Sequence, residues 1–384
     1  MTTIDFTGDS KKVARIFSGD KMKPLGLYIH IPFCNGKCPY CDFYSVIPQK
    51  KIAEEYVSVL CKEIDSTDRI YDTVYFGGGT PSLIGSDNIR KIMSHIKRTP
   101  ECEATLECNP SDTGRIDSQF DFSVVAESGI NRISLGLQSA DDTERKLLGR
   151  RGSCADVERS VARAKSGGIS NISLDLMLGI PNQTVDSLKR SIEFCNLSGA
   201  THISTYILKI EDGTPFAKAK SKLNLPDEDK TCNLYLKAVD ELEKSGFCQY
   251  EISNFSRKGF ESKHNLKYWR CEEYLGIGAS AHSFVNGKRF YCERSIDDFI
   301  NGKPPVDDGI GGDREEYIML ALRLKEGLIF KKYMSRFDEA IPEKLIIKAK
   351  NLEKHGLLCV TENEIALTAK GFLISNSIIC ELLA

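Results

Sequence analysis

Three cysteines, Cys34, Cys38 and Cys41, form a C-x3-C-x2-C array within the run HIPFCNGKCPYCDFYS. The chain has fourteen cysteines among 384 residues, so this spacing arises by chance in roughly 0.02 of chains of such composition. Three thiolates from one short loop can ligate three irons of a four-iron cluster. The fourth iron then has no protein ligand, and an open coordination position on a metal is where substrate chemistry takes place. Zinc is the competing reading. A structural zinc wants four protein ligands, with paired spacings; here there is no second C-x2-C pair, and the nearby His30 lies within an apolar run. A redox dithiol needs only two of the three thiols.

Further polar residues recur just after apolar runs. The segment YFGGGTPS holds Gly78, Gly79 and Thr80, where small residues allow backbone N–H groups to approach a ligand; a tight strand–helix turn explains the same glycines equally well. Glu107, Gln138, Arg150 and Asp175 follow in TLECNP, RISLGLQSADD, LLGRRGS and ISLDLMLGIPNQT. A carboxylate can accept from hydroxyl or amino groups, and a guanidinium can pair with a carboxylate. Any one of them alone reads as a solvated polar side chain.

The elements that must position these residues follow a rhythm. Strand-like runs at 27–31, 73–76, 104–107, 132–135, 172–176 and 202–207 alternate with helix-like spacing at 56–64, 88–96, 157–164 and 188–197. Six β-then-α units predict parallel strands joined by crossover helices, and six are fewer than a closed eight-stranded barrel requires. The expected fold is α/β: a partial (β/α)6 TIM-like barrel with ligands at the C-terminal ends of its strands. The expected division is an arm over 1–24, the barrel over 25–215, an extension over 216–300 and a linker over 301–313. The linker reading rests on the composition NGKPPVDDGIGGD. A small, mostly helical, winged-helix-like C-terminal domain follows over 314–384, with a hairpin at 357–360 and 364–367.

Fifty-two basic residues against 54 acidic ones give a net charge of −2, which supplies no bulk attraction to nucleic acid or an anionic membrane. Lys325 to Lys350 is mildly basic, but Glu326, Asp338, Glu339 and Glu343 interleave, as on a solvated helix face. No run reaches the ~18 apolar residues of a membrane span, and residues 1–20 lack the apolar core of a secretory signal. The expectation is a cytoplasmic protein with no membrane anchor and no nucleic-acid partner.

The segment KHNLKYWR joins His264, Tyr268 and Trp269, the last being the only tryptophan. An imidazole flanked by aromatic residues and cations could face a ligand, but on the pattern alone a structural histidine in an aromatic loop is the better reading. His282, in GIGASAHSF, could approach the site or merely pack.

The cysteine array, with Tyr40 before its last member, resembles the radical S-adenosylmethionine (SAM) superfamily. The stretches LYIHIPFCNGKCPYCDF, YFGGGTPSLI, NRISLGLQSADD, LDLMLGIPNQT and YEISNFSRKGFESKHNLKYW together resemble its HemN/HemW group, over nearly all of the chain from Leu25 onward. The resemblance implies a [4Fe–4S] cluster on Cys34, Cys38 and Cys41. It implies SAM held by Tyr28, Tyr40, Gly78, Gly79, Thr80, Glu107, Gln138, Arg150 and Asp175, and heme near His264, Tyr268 and Trp269. The group holds two functional kinds: oxygen-independent coproporphyrinogen III dehydrogenases and heme chaperones. The first resembles C-x3-C-x2-C-x-C, and this chain has Phe43 at the last position. The H-N-x-x-Y-W run matches the second. The implied function is heme binding and delivery to heme-accepting proteins such as respiratory enzymes, with a homodimer possible; porphyrinogen decarboxylation is the alternative.

Overall fold

The computed structural model describes residues 24–384; the arm expected over 1–24 lies outside the described residues except for Pro24. Six strands form the centre: β1 (Leu25–Ile31), β2 (Tyr71–Gly78), β3 (Arg98–Cys108), β4 (Arg132–Gln138), β5 (Asn171–Leu178) and β6 (His202–Ile207). They lie side by side in chain order, and all are parallel.

Each crossover is helical because its apolar residues recur on one face. In Lys50–Thr67 the buried set is Tyr56, Val57, Leu60, Cys61 and Ile64, a 3.6-residue stripe laid on the sheet. Val185–Leu197 starts where the Thr184 hydroxyl accepts from the Ser187 amide at 3.1 Å, which satisfies an orphan N–H of the first turn. The crossover after β3 also contains Phe122–Glu127, too short a helix for its periodicity to stand out.

The six strands have two unlike faces. Leu27, Ile29, Val74, Phe76, Ala104, Leu106, Ile133, Leu135, Ile172, Leu174 and Ile203 are fully buried under the helices. Their alternates line the barrel interior and are mostly polar: Thr73, Tyr75, Thr105, Glu107, Arg132, Ser134, Ser173, Asp175, His202 and Ser204. Side chains alternate faces along a strand, so a polar set at period two marks an interior built around a ligand rather than an apolar core.

The segment 216–300 extends both edges of this sheet. Antiparallel strands β7 (Cys248–Gln249) and β8 (Asn254–Ser256) add to β6. On the other side β9 (Tyr274–Ile277) pairs parallel with β1, followed by β10 (His282–Val285), β11 (Lys288–Tyr291) and β12 (Val306–Ile310), for twelve strands among the described residues. Strand β12 corrects the linker reading of 301–313: despite its Gly and Pro content this stretch carries the edge strand, paired to β11 with Tyr291 opposite Val306. Its pairing partner, not its composition, makes it a strand.

The C-terminal region packs the helices Arg314–Ala321, Phe330–Phe337 and Glu343–Glu353 with a small sheet ordered β13 (Leu328–Ile329), β15 (Glu364–Leu367), β14 (Leu358–Val360). The hairpin of β14 and β15 forms as expected, with Cys359 opposite Ala366. Helices Ala369–Leu373 and Ser375–Leu383 complete it. No helix among the described residues is long and apolar enough to cross a membrane.

Candidate functional site

The cysteine loop follows β1 and folds back over the C-terminal end of the barrel. The Cys34 amide donates to the Val46 carbonyl at 2.9 Å and the Val46 amide to Pro32 at 2.8 Å, which closes the loop at its base. Cys34, Cys38 and Cys41 all face a cavity of about 520 Å³ that runs down the barrel interior. Among the described residues no three His, Cys, Asp or Glu side chains are placed to hold a single metal ion; the three thiols instead share the cavity's mouth. Burial pushes the Cys41 thiol up, opposed by the Phe43 amide.

Arg150 reaches that loop from the far side of the cavity. It donates to Cys38 Sγ at 3.6 Å, to the Gly136 carbonyl at 3.0 Å and to Asn109 Oδ1 at 3.3 Å. Tyr40 lines the same wall and packs on Phe216, ring centroids 6.2 Å apart. Gln138 ends β4 with φ +69° beside a register irregularity at Gly136/Gln138. A left-handed residue at that point breaks the alternation and turns its side chain into the cavity.

Two carboxylates stand lower on the walls. Glu107 accepts from Tyr75 Oη at 2.7 Å; burial raises its carboxyl to about 7 against the opposing Tyr75 and Gly78 hydrogen bonds. Asp175 accepts from Ser204 at 2.8 Å and from Ser134 at 3.1 Å; burial raises it too, while both hydroxyls pull it down. Each carboxylate keeps oxygen lone pairs for a ligand's hydroxyl or amino groups.

The glycine run is shaped first by packing. A Cβ on Gly79 would meet the Phe33 backbone at 2.5 Å, and one on Gly78 (φ +107°) would meet the His30 ring at 2.6 Å. The Gly79 and Thr80 amides donate to Ile31 and Phe33 carbonyls, and the Gly78 amide serves Glu107. The expectation that these N–H groups approach a ligand is therefore corrected: they are spent within the protein, although Gly78, Gly79 and Thr80 still line the cavity. Thr80 Oγ1 lies 3.4 Å from Cys34 Sγ.

Tyr28 is not at the cavity surface. It bonds His30 Nδ1 at 3.1 Å and stacks on Tyr75 at 6.2 Å, bracing the interior. The aromatic–histidine run departs further from expectation. Lys263–Trp269 is a short helix that closes the opposite, N-terminal end of the barrel. His264 is fully buried there; its Nδ1 bonds Thr73 Oγ1 at 2.8 Å and its Nε2 bonds Tyr268 Oη at 2.8 Å. With both ring nitrogens engaged, and burial holding the ring neutral with its pKa down at about 3, His264 has no lone pair to offer an iron. Neither Tyr268 nor Trp269 reaches the cavity; the run contributes Asn265 to its floor.

Sequence reasoning missed Arg132, Tyr75, Ser134 and Ser204. Arg132 is 2% exposed and lines the cavity, and its side chain's one hydrogen bond among the described residues is a long one, 3.5 Å to Thr105 Oγ1. The signal was present in the alternation of R-I-S-L-G and its counterparts, polar on one face and apolar on the other.

Two family models match: the radical SAM superfamily over residues 28–195 and the HemN C-terminal domain over 313–374. The heme chaperone HemW of Lactococcus lactis is 34% identical over 93% of this chain and 96% of its own. That of Bacillus subtilis is 34% identical over 91% and 97%, and that of Haemophilus influenzae 36% identical over 84% and 85%. Among solved structures, the coproporphyrinogen III oxidase HemN of Escherichia coli superposes with a TM-score of 0.80 over 98% of this chain and 93% of that one; at 21% identity this shows the shared fold. A barrel interior lined for a ligand, three thiols at its mouth and this likeness along almost the whole length agree: the chain belongs to the radical SAM superfamily and, within it, to the HemW family.

Proposed function

We propose that this protein is a radical SAM-type heme chaperone. The observation that carries the reading is the 34% identity to relatives named heme chaperones over more than nine-tenths of both chains. Membership of the superfamily implies a [4Fe–4S] cluster and SAM. Cys34, Cys38 and Cys41 would hold the cluster, and Gly78, Gly79, Thr80, Glu107, Gln138, Arg150 and Asp175 the SAM beside it. The donor set suits both: three soft thiols for iron, a guanidinium for a carboxylate, and two carboxylates for hydroxyl or amino groups. When bound, the cluster supplies an electron and SAM a cleavable sulfonium. This chain's own part is to orient them: Arg150 ties the cluster loop to β4, and Ser134 and Ser204 fix Asp175. The family setting and fourteen free thiols support a reducing, cytoplasmic location. Heme would pass to heme-accepting proteins such as respiratory enzymes.

Oxygen-independent coproporphyrinogen oxidation is disfavoured. At the position where that kind has a further cysteine this chain has Phe43, 69% exposed at the mouth of the cavity. The test is anaerobic incubation of the reconstituted protein with SAM, a low-potential reductant and coproporphyrinogen III, followed by mass spectrometry, alongside a hemin titration. The expected result is unchanged coproporphyrinogen and saturable hemin binding. Protoporphyrinogen formed in step with 5′-deoxyadenosine would overturn the reading.

A further inference from the structure

The heme reading needs an imidazole that can reach iron, and the chain has six histidines. His30 bonds Tyr28 Oη through Nδ1 and the Tyr44 carbonyl through Nε2 at 3.4 Å. His202 bonds Ser173 and Tyr250, both at 2.8 Å, and His264 is closed at both nitrogens. His95 pairs with Asp65 on the outer helical layer, and His355 lies in the C-terminal region. His282, like His355, has an exposed ring with no hydrogen-bond partner among the described residues, and it begins a strand at the cysteine-loop end of the sheet.

Its place in the fold is informative. Strand β9 runs parallel to β1, so the turn after Ile277 emerges at the cysteine-loop end of the sheet, and β10 begins there with His282. Gly278 (φ +112°) presses against the His30 carbonyl, where a Cβ would come to 2.6 Å. The Ser280 amide donates to Glu293 and the Cys292 amide to Ala281, which fixes the turn against the 291–294 segment. That segment meets the cysteine loop directly: the Ile296 amide donates to Tyr44 Oη at 3.1 Å, and Arg294 pairs loosely with Asp42 at 3.9 Å. The His282 ring stacks on Tyr291, centroids 5.2 Å apart at 26°. On the loop beyond Asp42, Phe43 and Ile47 are 69% and 71% exposed.

We infer that His282 is the axial heme ligand, on an open rim beside the cysteine loop. Phe43 and Ile47 provide apolar surface for the macrocycle, and Arg294 provides a cation for a propionate. The inference rests on the heme reading above and deepens it by moving the ligand from His264 to the opposite end of the barrel. A flat apolar disc needs a ligating nitrogen, apolar walls and a propionate donor, and this rim gathers all three. Tyr291 holds the imidazole plane without consuming either nitrogen. The charged groups around the ring are Arg289, Arg294 and Asp308; Arg289 is itself paired with Glu316.

The test is a hemin titration of the full chain with reconstituted cluster, comparing wild type, His282→Ala and Arg294→Ala by Soret position, spin state and Kd. The expected result is loss of the imidazole-ligated spectrum in His282→Ala, with binding at least roughly tenfold weaker. Added imidazole should restore the spectrum, and the cluster absorbance and thermal midpoint should stay at wild-type values. Arg294→Ala should weaken binding severalfold and keep the spectrum. An unchanged Soret band and Kd in His282→Ala would remove the ligand assignment alone. Failure of the wild type to bind hemin would remove both this inference and the chaperone reading.

Discussion

Gly136 has no side chain because Arg150 needs the space: a Cβ there would meet the Arg150 guanidinium at 2.7 Å and the Gln138 amide at 2.9 Å. Both obstacles are the ends of flexible side chains, so Gly136→Ala should fold normally yet push Arg150 off Cys38. SAM affinity should fall by about tenfold, measured by equilibrium dialysis, with the thermal midpoint moving by only a few degrees. Glu107 offers a second test. Its carboxyl is raised to about 7 by burial, and in the proposed role of hydroxyl acceptor for SAM it would serve best when ionised. SAM binding should therefore strengthen from pH 6 to pH 8, and Glu107→Gln should flatten that dependence. The same shift carries a stability consequence. The folded state holds this proton in a window from the ordinary carboxylate range up to about 7, where the unfolded chain has lost it. Stability of the ligand-free protein should fall as pH rises through that window, and should do so less in Glu107→Gln. A pH profile of SAM affinity identical in the two proteins would remove Glu107 from the site.

The helix Lys263–Trp269 acts as a stopper. His264 bonds Thr73 across 191 positions of sequence, its amide donates to Glu103 at 3.2 Å, and Lys267 pairs with Asp72 at 2.8 Å. His264→Ala would orphan the Thr73 and Tyr268 hydroxyls in a buried setting and leave a void, costing about 3 kcal/mol. Urea denaturation should show that loss, while hemin bound to the protein that remains folded should keep its wild-type Soret position. A shifted Soret band at full stability would instead restore His264 as a ligand. The element scale also shows where sequence reading stops. The six parallel strands were legible because their helix-facing residues are apolar and Gly, Pro or polar residues interrupt them. Strands β7 to β12 were not, because they are short and β12 takes its conformation from pairing with β11. The role of His264 was invisible for the same reason, since its partners come from distant strands. The thiols, Glu107, Gln138, Arg150 and Asp175 could be found because each stands where a strand or its following loop opens on the cavity. Arg132 was missed because it sits near the start of β4 and reaches the cavity from below.

At the scale of the whole molecule, the C-terminal region is joined to the barrel extension by backbone. The Ile252 amide donates to Arg323 at 3.0 Å, the Lys325 amide donates to Tyr250 at 2.9 Å, and Glu251 bridges Leu324. Tyr250 in turn bonds His202 inside the barrel, so the outer region and the interior share one polar network. The cavity opens at the end that carries the exposed rim of Phe43, Ile47 and His282, so the sites proposed for the cluster, SAM and heme share one side of the protein. The most direct test of heme delivery is transfer itself. The reconstituted protein, loaded with one hemin and freed of excess, is mixed with a heme-depleted respiratory enzyme, and the acceptor's spectrum and activity are followed. The account predicts that heme moves to the acceptor and its activity returns, faster than from free hemin at the same concentration. Retention of heme by this protein with no recovery of the acceptor, or recovery no faster than from free hemin, would contradict it.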